Sequence, residues 1–124
     1  MIEHTSVTVS DYNKSKEFYS KLLAPVGYQL TRDMPEYKAG GFMEGGHTSF
    51  WIAQVEKMAP THVAFHAESK EAVQKFYDAG LAAGGKDNGK PGFRLNYSPD
   101  YYAAFVYDPD GNNIEACYFG ERAE

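Results

Sequence analysis

An internal repeat at a spacing of 58 residues restricts the fold of this chain more than any other feature. When residues 4–27 are laid over residues 62–85 without a gap, six positions are identical. The identical pairs are His4 with His62, Phe18 with Phe76, Tyr19 with Tyr77, Leu23 with Leu81, Ala24 with Ala82 and Gly27 with Gly85. Each copy reads as a strand, an amphipathic helix and a glycine at which the helix stops. Two copies of one unit predict two similar modules.

The strand of each copy has two different faces. His4 lies on the face opposite Val7 and Val9, and His62 lies on the face opposite Phe65, because successive side chains alternate. The helices have apolar stripes at helical spacing, made of Phe18, Tyr19, Leu22 and Val26 in the first and Val73, Phe76, Tyr77 and Leu81 in the second. These stripes are expected to cover the apolar faces of the strands. His4 and His62 then point to the opposite face of the sheet.

Both halves continue with short segments of strand and turn character. Residues 37–54 contain glycine pairs that separate two short strands. The second half has three predicted strands, at residues 93–97, 101–108 and 113–119, and Pro-Asp-Gly joins the last two. Each half is therefore predicted to be strand–helix–strand–strand–strand. Ser10 or Asp11 is expected to cap the first helix, and Ser69 the second.

The composition excludes several classes of protein. A chain of 124 residues fits one domain, with module one at about residues 1–57 and module two at about residues 58–124. The 12 Lys and Arg residues form no dense cluster, so no nucleic-acid partner is expected. The single cysteine, Cys117, cannot form an intrachain disulfide, and it favours a reducing, cytoplasmic setting. No segment resembles a signal peptide or a membrane span, so no membrane partner is expected.

A carboxylate interrupts the last apolar strand, in which Glu115 stands between Ile114 and Ala116. Burying a carboxylate is costly unless it is paired, hydrogen-bonded or bound to a metal. A structural ion pair with Arg94 or Lys90 is one explanation. The other is a metal, because the alternation of the strands places Glu115 on the same face as the two repeated histidines.

The segments IEHTSVTVSD, SKEFYSKLL, THVAF and AAFVYDPDGNNIEA resemble the glyoxalase/bleomycin-resistance/extradiol-dioxygenase superfamily, also called vicinal oxygen chelate proteins. The resemblance implies an α+β fold in which two βαβββ modules form a cleft-shaped mixed β-sheet with helices on the outer face. It also implies metal ligands at His4, His62 and Glu115. Two imidazoles and one carboxylate leave coordination positions open, which is typical of non-haem Fe(II) oxygenases and also suits Mn, Ni or Zn.

The sequence differs from the pattern of glyoxalase I enzymes at one metal-ligand position. Glyoxalase I enzymes take a fourth ligand from the end of the first module, and counting from Gly46 and Gly111 aligns Phe50 with Glu115. Phe50 neither binds a metal nor moves a proton, which disfavours a lactoylglutathione lyase reaction. Phe50 is instead expected to form an apolar wall of the cleft that contacts the substrate.

The resemblance implies a divalent-metal-dependent enzyme that acts on a small oxygen-chelating substrate. The reaction is then that of a lyase or isomerase, a ring-cleaving dioxygenase or a thiol transferase. The alternative is a metal-free small-molecule binding protein of the bleomycin-resistance type. Members of this size often form homodimers, some of which exchange modules between chains.

His66 and Tyr102 are the candidate catalytic residues. His66 lies further along the face of its strand that carries His62, where it is a candidate base or a solvated side chain. Tyr102 faces the cleft if Phe105 packs under the helix, and its hydroxyl then contacts a substrate oxygen. The opposite alternation places Tyr101 there instead.

Two polar residues and one loop are further candidates for the cleft. Arg94 and Asn96 alternate with Leu95 on a predicted strand, so they present polar groups either to a substrate anion or to solvent. Residues 84–92, rich in glycine and lysine, are expected to be a mobile loop over the cleft or a flexible connector.

Overall fold

The computed structural model describes residues 2–120 as two modules with the same order of elements. Module one contains β1 (Thr5–Val9), α1 (Tyr12–Leu23), β2 (Gln29–Met34), β3 (Ala39–Glu44) and β4 (His47–Gln54). Module two contains β5 (His62–His66), α2 (Lys70–Ala82), β6 (Lys86–Phe93), β7 (Tyr102–Tyr107) and β8 (Asn113–Tyr118). The prediction of an α+β fold with two βαβββ modules is confirmed. Neither α1 nor α2, the two α-helices of the described segment, combines the length and the hydropathy that a membrane-spanning helix needs.

Each module forms its own four-stranded mixed sheet. The strand order is β1-β4-β3-β2 in module one and β5-β8-β7-β6 in module two. The first and last strands of a module are parallel neighbours, and the other neighbouring strands are antiparallel. The parallel pairing is possible because a helix and two strands separate the paired strands along the chain.

The side chains that begin the helices agree with the predicted caps. The Asp11 carboxylate accepts a hydrogen bond from the backbone N–H of Lys14, and the Ser69 hydroxyl accepts one from Ala72. Asp11, rather than Ser10, is therefore the cap of α1. These bonds satisfy backbone donors that the first turn of a helix leaves without a partner.

The helices approach each other through a glycine. Leu81 was expected in the apolar stripe of α2, but it is 38% exposed, and Gly80 is buried instead. A Cβ atom at Gly80 would lie 2.8 Å from Leu22 Cδ1 of α1. The expectation for Leu81 is therefore wrong, because α2 turns its smallest residue, not its leucine, toward α1.

The helix-covered sides of the two sheets share one hydrophobic core. The Phe50 ring of module one lies 5.2 Å from Tyr19 and 5.0 Å from Phe65 of module two. His4 and His62 are exposed and lie outside this core, as the alternation of their strands predicts.

An edge strand occupies the segment where the sequence predicted a mobile loop or connector. β6 pairs with β7, and its register shifts on both sides of Gly89. An edge strand tolerates Pro91 and irregular pairing because one side of its backbone needs no partner. Residues 93–97 were expected to be a strand, but the chain leaves the sheet after Phe93 and forms turns. The expectation of a loop or connector at residues 84–92 and that of a strand at residues 93–97 are therefore both wrong.

The turn between β7 and β8 connects module two to module one. The buried Asp108 carboxylate accepts four hydrogen bonds, from the Tyr19 hydroxyl, the Asn112 side-chain amide and the backbone N–H groups of Asp110 and Asn112. Asn112 also donates to the carbonyl of Thr8 at the end of β1. This network fixes the start of β8, the strand that carries Glu115, against module one.

Candidate metal centre

The Glu115 carboxylate lies on the side of its sheet away from α2, and only 3% of the side chain is exposed. Its Oε1 atom lies 3.1 Å from Nε2 of His62. Its Oε2 atom accepts a hydrogen bond from the Tyr101 hydroxyl. The cost of burying the carboxylate is therefore offset by one polar contact at each oxygen.

The orientation of the His62 ring is fixed by a backbone group. His62 Nδ1 lies 2.9 Å from the carbonyl oxygen of Asn113. A carbonyl oxygen only accepts, so Nδ1 carries a proton, and a neutral His62 ring has its lone pair on Nε2. That lone pair faces Glu115 Oε1, which is also an acceptor when the carboxylate is ionised. Two facing acceptors need a cation between them, so this pair of side chains can hold either a proton or a metal ion.

Tyr101 is suited to donate to Glu115 throughout the ordinary pH range. Burial, and then the hydrogen bond to Glu115, raise the pKa of the Tyr101 phenol well above its usual value. Edge-to-face contacts with Tyr97 and Phe119 hold the ring, with centroids 5.1 Å and 4.9 Å away. The phenol therefore keeps its proton and directs it at Oε2, which leaves Oε1 for His62.

In β7 the side chains alternate so that Tyr101, not Tyr102, lies on the side of the sheet that carries Glu115. Tyr102 lies on the helix side, is 8% exposed and accepts a hydrogen bond from Gln74 of α2. Phe105 lies on the other side, with its ring 6.3 Å from the His62 ring. This corrects the placement of Tyr102 as a catalytic or substrate-binding residue, because its hydroxyl points to the helix. Tyr101 occupies the corresponding place beside Glu115.

His4 does not join the pair in the described conformation. Its Nδ1 atom contacts the Glu3 carboxylate, whose other oxygen lies 2.8 Å from His47 Nε2. The hydrogen bond with His4, followed by the charge of His47, lowers the pKa of Glu3. Within residues 2–120, no three His, Cys, Asp or Glu side chains converge as a metal-binding group. The set of His4, His62 and Glu115 stays a prediction.

A cavity of about 400 Å³ lies between the modules and is lined by both repeated histidines. His4 and His62 contribute imidazoles to its wall, and Tyr28, Phe50 and Phe65 contribute aromatic rings. Phe50 is only 1% exposed and lies mostly in the core. Its predicted contact with a substrate is therefore possible only at the wall of this cavity.

His66 lies on the same face as His62 but far along the strand. A strand advances about 3.3 Å per residue, so four residues separate the two histidines by about 13 Å. His66 is exposed and stands opposite Cys117 in the ladder. A role for His66 as a base stays a prediction, and this distance disfavours it.

Arg94 and Asn96 follow β6 and lie near Phe105 rather than at Glu115. Arg94 Nη2 donates to the backbone carbonyls of Ala103 and Lys90. The Glu115 carboxylate contacts His62, not Arg94 or Lys90. The structural ion pair that the sequence left open is therefore not formed.

The ladders identify Trp51 as the counterpart of Glu115 in module one. Ala64 pairs with Glu115, and Ser6, which precedes Ala64 by one repeat of 58 residues, pairs with Trp51. The alignment of Phe50 with Glu115 is therefore wrong by one residue.

A bulge in β4 explains the shift. Phe42 of β3 pairs with Phe50, but the next residue of β3 pairs with Thr48, so Ser49 is an extra residue. The ladder between β7 and β8 is regular. One extra residue in only one of two related strands moves every later position by one place.

A comparison with known families decides the relationship of the chain. Residues 1–116 match the Glyoxalase/Bleomycin resistance protein/Dioxygenase superfamily. The chain belongs to this superfamily. No curated protein matches the chain.

Solved structures of the superfamily have the same fold. A glyoxalase/bleomycin resistance protein from Albidiferax ferrireducens T118 is 31% identical, with a TM-score of 0.81, and the match covers 94% of this chain and 97% of that chain. A lactoylglutathione lyase from Agrobacterium tumefaciens is 16% identical, with a TM-score of 0.71 and coverage of 95% and 92%. A glyoxalase-related enzyme from Fulvimarina pelagi is 17% identical, with a TM-score of 0.72 and coverage of 95% and 87%. The last two comparisons concern the fold alone.

Trp51 has no metal-binding atom, so the departure from glyoxalase I members of the superfamily persists after the register is corrected. The Trp51 ring lies over Gly41, where a Cβ atom would be 2.9 Å from it. An aromatic ring therefore fills the position that corresponds to Glu115.

Proposed function

We propose that the protein is a divalent-metal-dependent enzyme that acts on a small substrate with metal-chelating oxygens. The observation that carries this proposal is the His62–Glu115 pair, in which two acceptor atoms face each other at 3.1 Å. An imidazole and a carboxylate suit Fe, Mn, Ni or Zn. His62 Nε2 and Glu115 Oε1 would hold such a metal, which when bound stabilises negative charge on the substrate.

The neighbouring residues orient this pair. The carbonyl of Asn113 directs Nε2 of His62, and Tyr101 holds the far oxygen of Glu115. Partners of this kind raise the metal affinity of ligands because they remove freedom of rotation before binding. Phe105 stands beside His62, with the two rings 6.3 Å apart, and adds an apolar group on this side of the pair.

His4 is the proposed third ligand, and it reaches the pair in one of two ways. It shares the cavity between the modules with His62, so a rotation away from Glu3 would direct it toward the pair within one chain. In a homodimer that exchanges modules, a second copy would supply its His4 instead. The same residues serve in both arrangements.

The reaction class follows from the ligands. Trp51 at the counterpart of Glu115 disfavours a lactoylglutathione lyase reaction, since no carboxylate is present there to move a proton. A ring-cleaving dioxygenase or a thiol transferase needs only the three proposed ligands. Iron in the purified protein would favour oxygen chemistry, and Mn, Ni or Zn would favour the other classes.

A metal-free binding protein is the second candidate. The cavity between the modules supports it, because three aromatic residues line it, namely Tyr28, Phe50 and Phe65. Apolar pockets with a few polar groups bind small molecules without chemistry.

Metal content tests the first candidate. Protein purified without an affinity tag or chelator is analysed for metals, and metal-free protein is then titrated with Fe²⁺, Mn²⁺, Ni²⁺ and Zn²⁺. About one equivalent is expected in the wild type, and it is expected to be lost in Glu115→Gln and His62→Ala. Glu17→Gln, an exposed glutamate on α1, is the matched control and should retain the metal.

The outcomes separate the two candidates. Equal metal content in Glu115→Gln and the wild type would remove the pair as the metal site. No uptake by the wild type at micromolar metal concentrations would support a metal-free binding protein. Circular dichroism of each variant checks that the loss of metal is not a loss of fold.

A further inference from the structure

The Arg94 guanidinium is held in one orientation above the sheet of module two. Nη2 donates to the carbonyls of Ala103 and Lys90, and the guanidinium carbon lies 5.3 Å from the centre of the Phe105 ring. Gly89 leaves room for the guanidinium, because a Cβ atom at position 89 would lie 3.1 Å from Nη2. The side chain is only partly exposed. The charge of Arg94 is therefore fixed in place.

No acid neutralises this charge among residues 2–120. The ion pairs of the described chain involve Lys16, Lys21 and three histidines, and none involves Arg94. The side-chain hydrogen bonds of Arg94 all use Nη2, so Nη1 and Nε are available to another acceptor. Each of these N–H groups can donate a charge-assisted hydrogen bond to the oxygen of an anion.

The recess beside Arg94 contains neutral polar groups and aromatic rings but no acidic side chain. Three amide side chains line it, those of Asn88, Asn96 and Asn113, together with the rings of Tyr97 and Phe105. The arginine cation and the amide N–H groups around it favour a bound anion. The two aromatic rings favour a planar apolar group next to that anion.

The recess and the proposed metal pair share residues. Asn113 holds His62 through its carbonyl and accepts a hydrogen bond from Asn88 through its side chain. Phe105 touches both the His62 ring and the guanidinium. β6 is two strands away from β8, which separates them by about 10 Å. A ligand that reaches both places has the length of one ring with a substituent.

We propose that this recess is an anion-binding subsite and that the ligand of the protein carries a carboxylate or phosphonate group there. The group accepts a hydrogen bond from Nη1 or Nε of Arg94, and the apolar part of the ligand lies over Phe105 toward His62. The position of the anion relative to a metal rests on the proposed function. The subsite itself does not, because none of its contacts involves a metal.

Binding of small acids to metal-free protein tests the subsite. Benzoate, phenylphosphonate and the neutral benzamide are titrated into isotope-labelled protein near pH 7, and the backbone amide signals are followed by NMR. Saturable shifts are expected at residues 88, 89, 94, 96 and 113 with benzoate or phenylphosphonate. Arg94→Met, which keeps the apolar contact with Phe105, is expected to weaken binding about tenfold, and Arg94→Lys to restore part of it.

The controls assign each outcome. Arg32→Met removes an exposed arginine from module one and should leave the acid affinities unchanged. Benzamide should bind equally weakly to every variant. The acid that binds more tightly, benzoate or phenylphosphonate, identifies the preferred anionic group. Equal affinity of Arg94→Met and wild type, or no saturable binding of either acid with or without metal, would overturn the subsite.

The same titration of Glu115→Gln separates the two proposals. Acid binding in a protein that takes up no metal would leave the subsite standing and remove the metal function. Metal uptake without acid binding would do the reverse.

Discussion

The Glu115 carboxylate is held from two sides, and the contacts divide its oxygens between two tasks. His62 faces Oε1, and Tyr101 donates to Oε2. The first contact needs a cation between its atoms, whereas the second is complete with the proton of the phenol. Tyr101 is thus a positioning residue for the carboxylate.

Tyr101→Phe tests this role. Metal affinity is expected to fall about 10- to 100-fold, since Oε2 loses the donor that orients the carboxylate. Isothermal titration with Zn²⁺ measures the affinity, and thermal unfolding measures any loss of stability. Tyr97→Phe is the control, because Tyr97 contacts the Tyr101 ring but not Glu115. Unchanged zinc affinity in Tyr101→Phe would leave Tyr101 with a packing role only.

The buried phenol of Tyr19 is expected to make the folded state less stable at alkaline pH. Burial, followed by the charge of Asp108 and the hydrogen bond to it, raises the pKa of the Tyr19 phenol. A tyrosine in the unfolded chain loses its proton near pH 10, whereas Tyr19 in the folded protein still keeps its proton at that pH. The contribution of Tyr19 is therefore complete below about pH 10 and is lost as the pH rises further.

Urea unfolding at about pH 8 and about pH 10.5 measures this dependence. The free energy of unfolding of the wild type is expected to fall between the two, and that of Tyr19→Phe to fall less. Tyr37→Phe, at a residue that is 71% exposed, should follow the wild type. An equally steep fall in Tyr19→Phe would show that the dependence arises elsewhere.

Among the elements, those governed by local periodicity were predictable from the sequence. The repeat, the cap at Ser69 and the faces of β1 and β5 depend on side chains within a few residues of one another. β6 was missed because Gly89 and Pro91 are read as loop residues, although an edge strand accepts them. The one-residue shift at Trp51 was missed because a bulge is decided by the pairing of two strands.

The placement of Tyr101 had a signal in the sequence. The turn at residues 108–112 closes a hairpin, so counting outward from it places Phe105 opposite Glu115. Residues directly opposite in an antiparallel pair share a face. Phe105, and with it Tyr101, therefore belongs on the side of Glu115. The partners of His4, by contrast, depend on how the two modules meet, which no local pattern specifies.

The corrected register of β4 predicts opposite results for two neighbouring substitutions. Phe50→Glu buries a carboxylate in the core and is expected to cost more than about 4 kcal/mol, enough to unfold the protein. Trp51→Glu places the carboxylate at a partly exposed position, and the variant is expected to remain folded. Thermal unfolding of both variants makes the comparison. A more stable Phe50→Glu than Trp51→Glu would contradict the register.

At the scale of the whole molecule, each sheet is complete within its own module. Among residues 2–120, no strand ladder joins the two sheets, and the modules are connected by the shared core and by the turn at Asp108. The face that carries His62 and the face that carries His4 are therefore built independently. An exchange of modules between two copies would leave both sheets intact.

Co-expression of His4→Ala with Glu115→Ala distinguishes the two arrangements of the proposed centre. Neither variant alone is expected to bind metal. If ligands come from two copies, half of the randomly formed dimers contain both variants and each has one intact site, so about a quarter of all sites are restored. Metal analysis of the purified mixture counts them. No restored metal would place His4 and Glu115 of one chain in the same site.

The position of Trp51 makes this face observable without labelling. Trp51 is the single tryptophan of the chain, and it lines a surface depression together with His4 and His47. Its indole is partly exposed and lies over Gly41, a residue with no side chain. Its fluorescence emission reports directly on the arrival of a ligand, a quenching metal such as Ni²⁺ or a second copy of the protein.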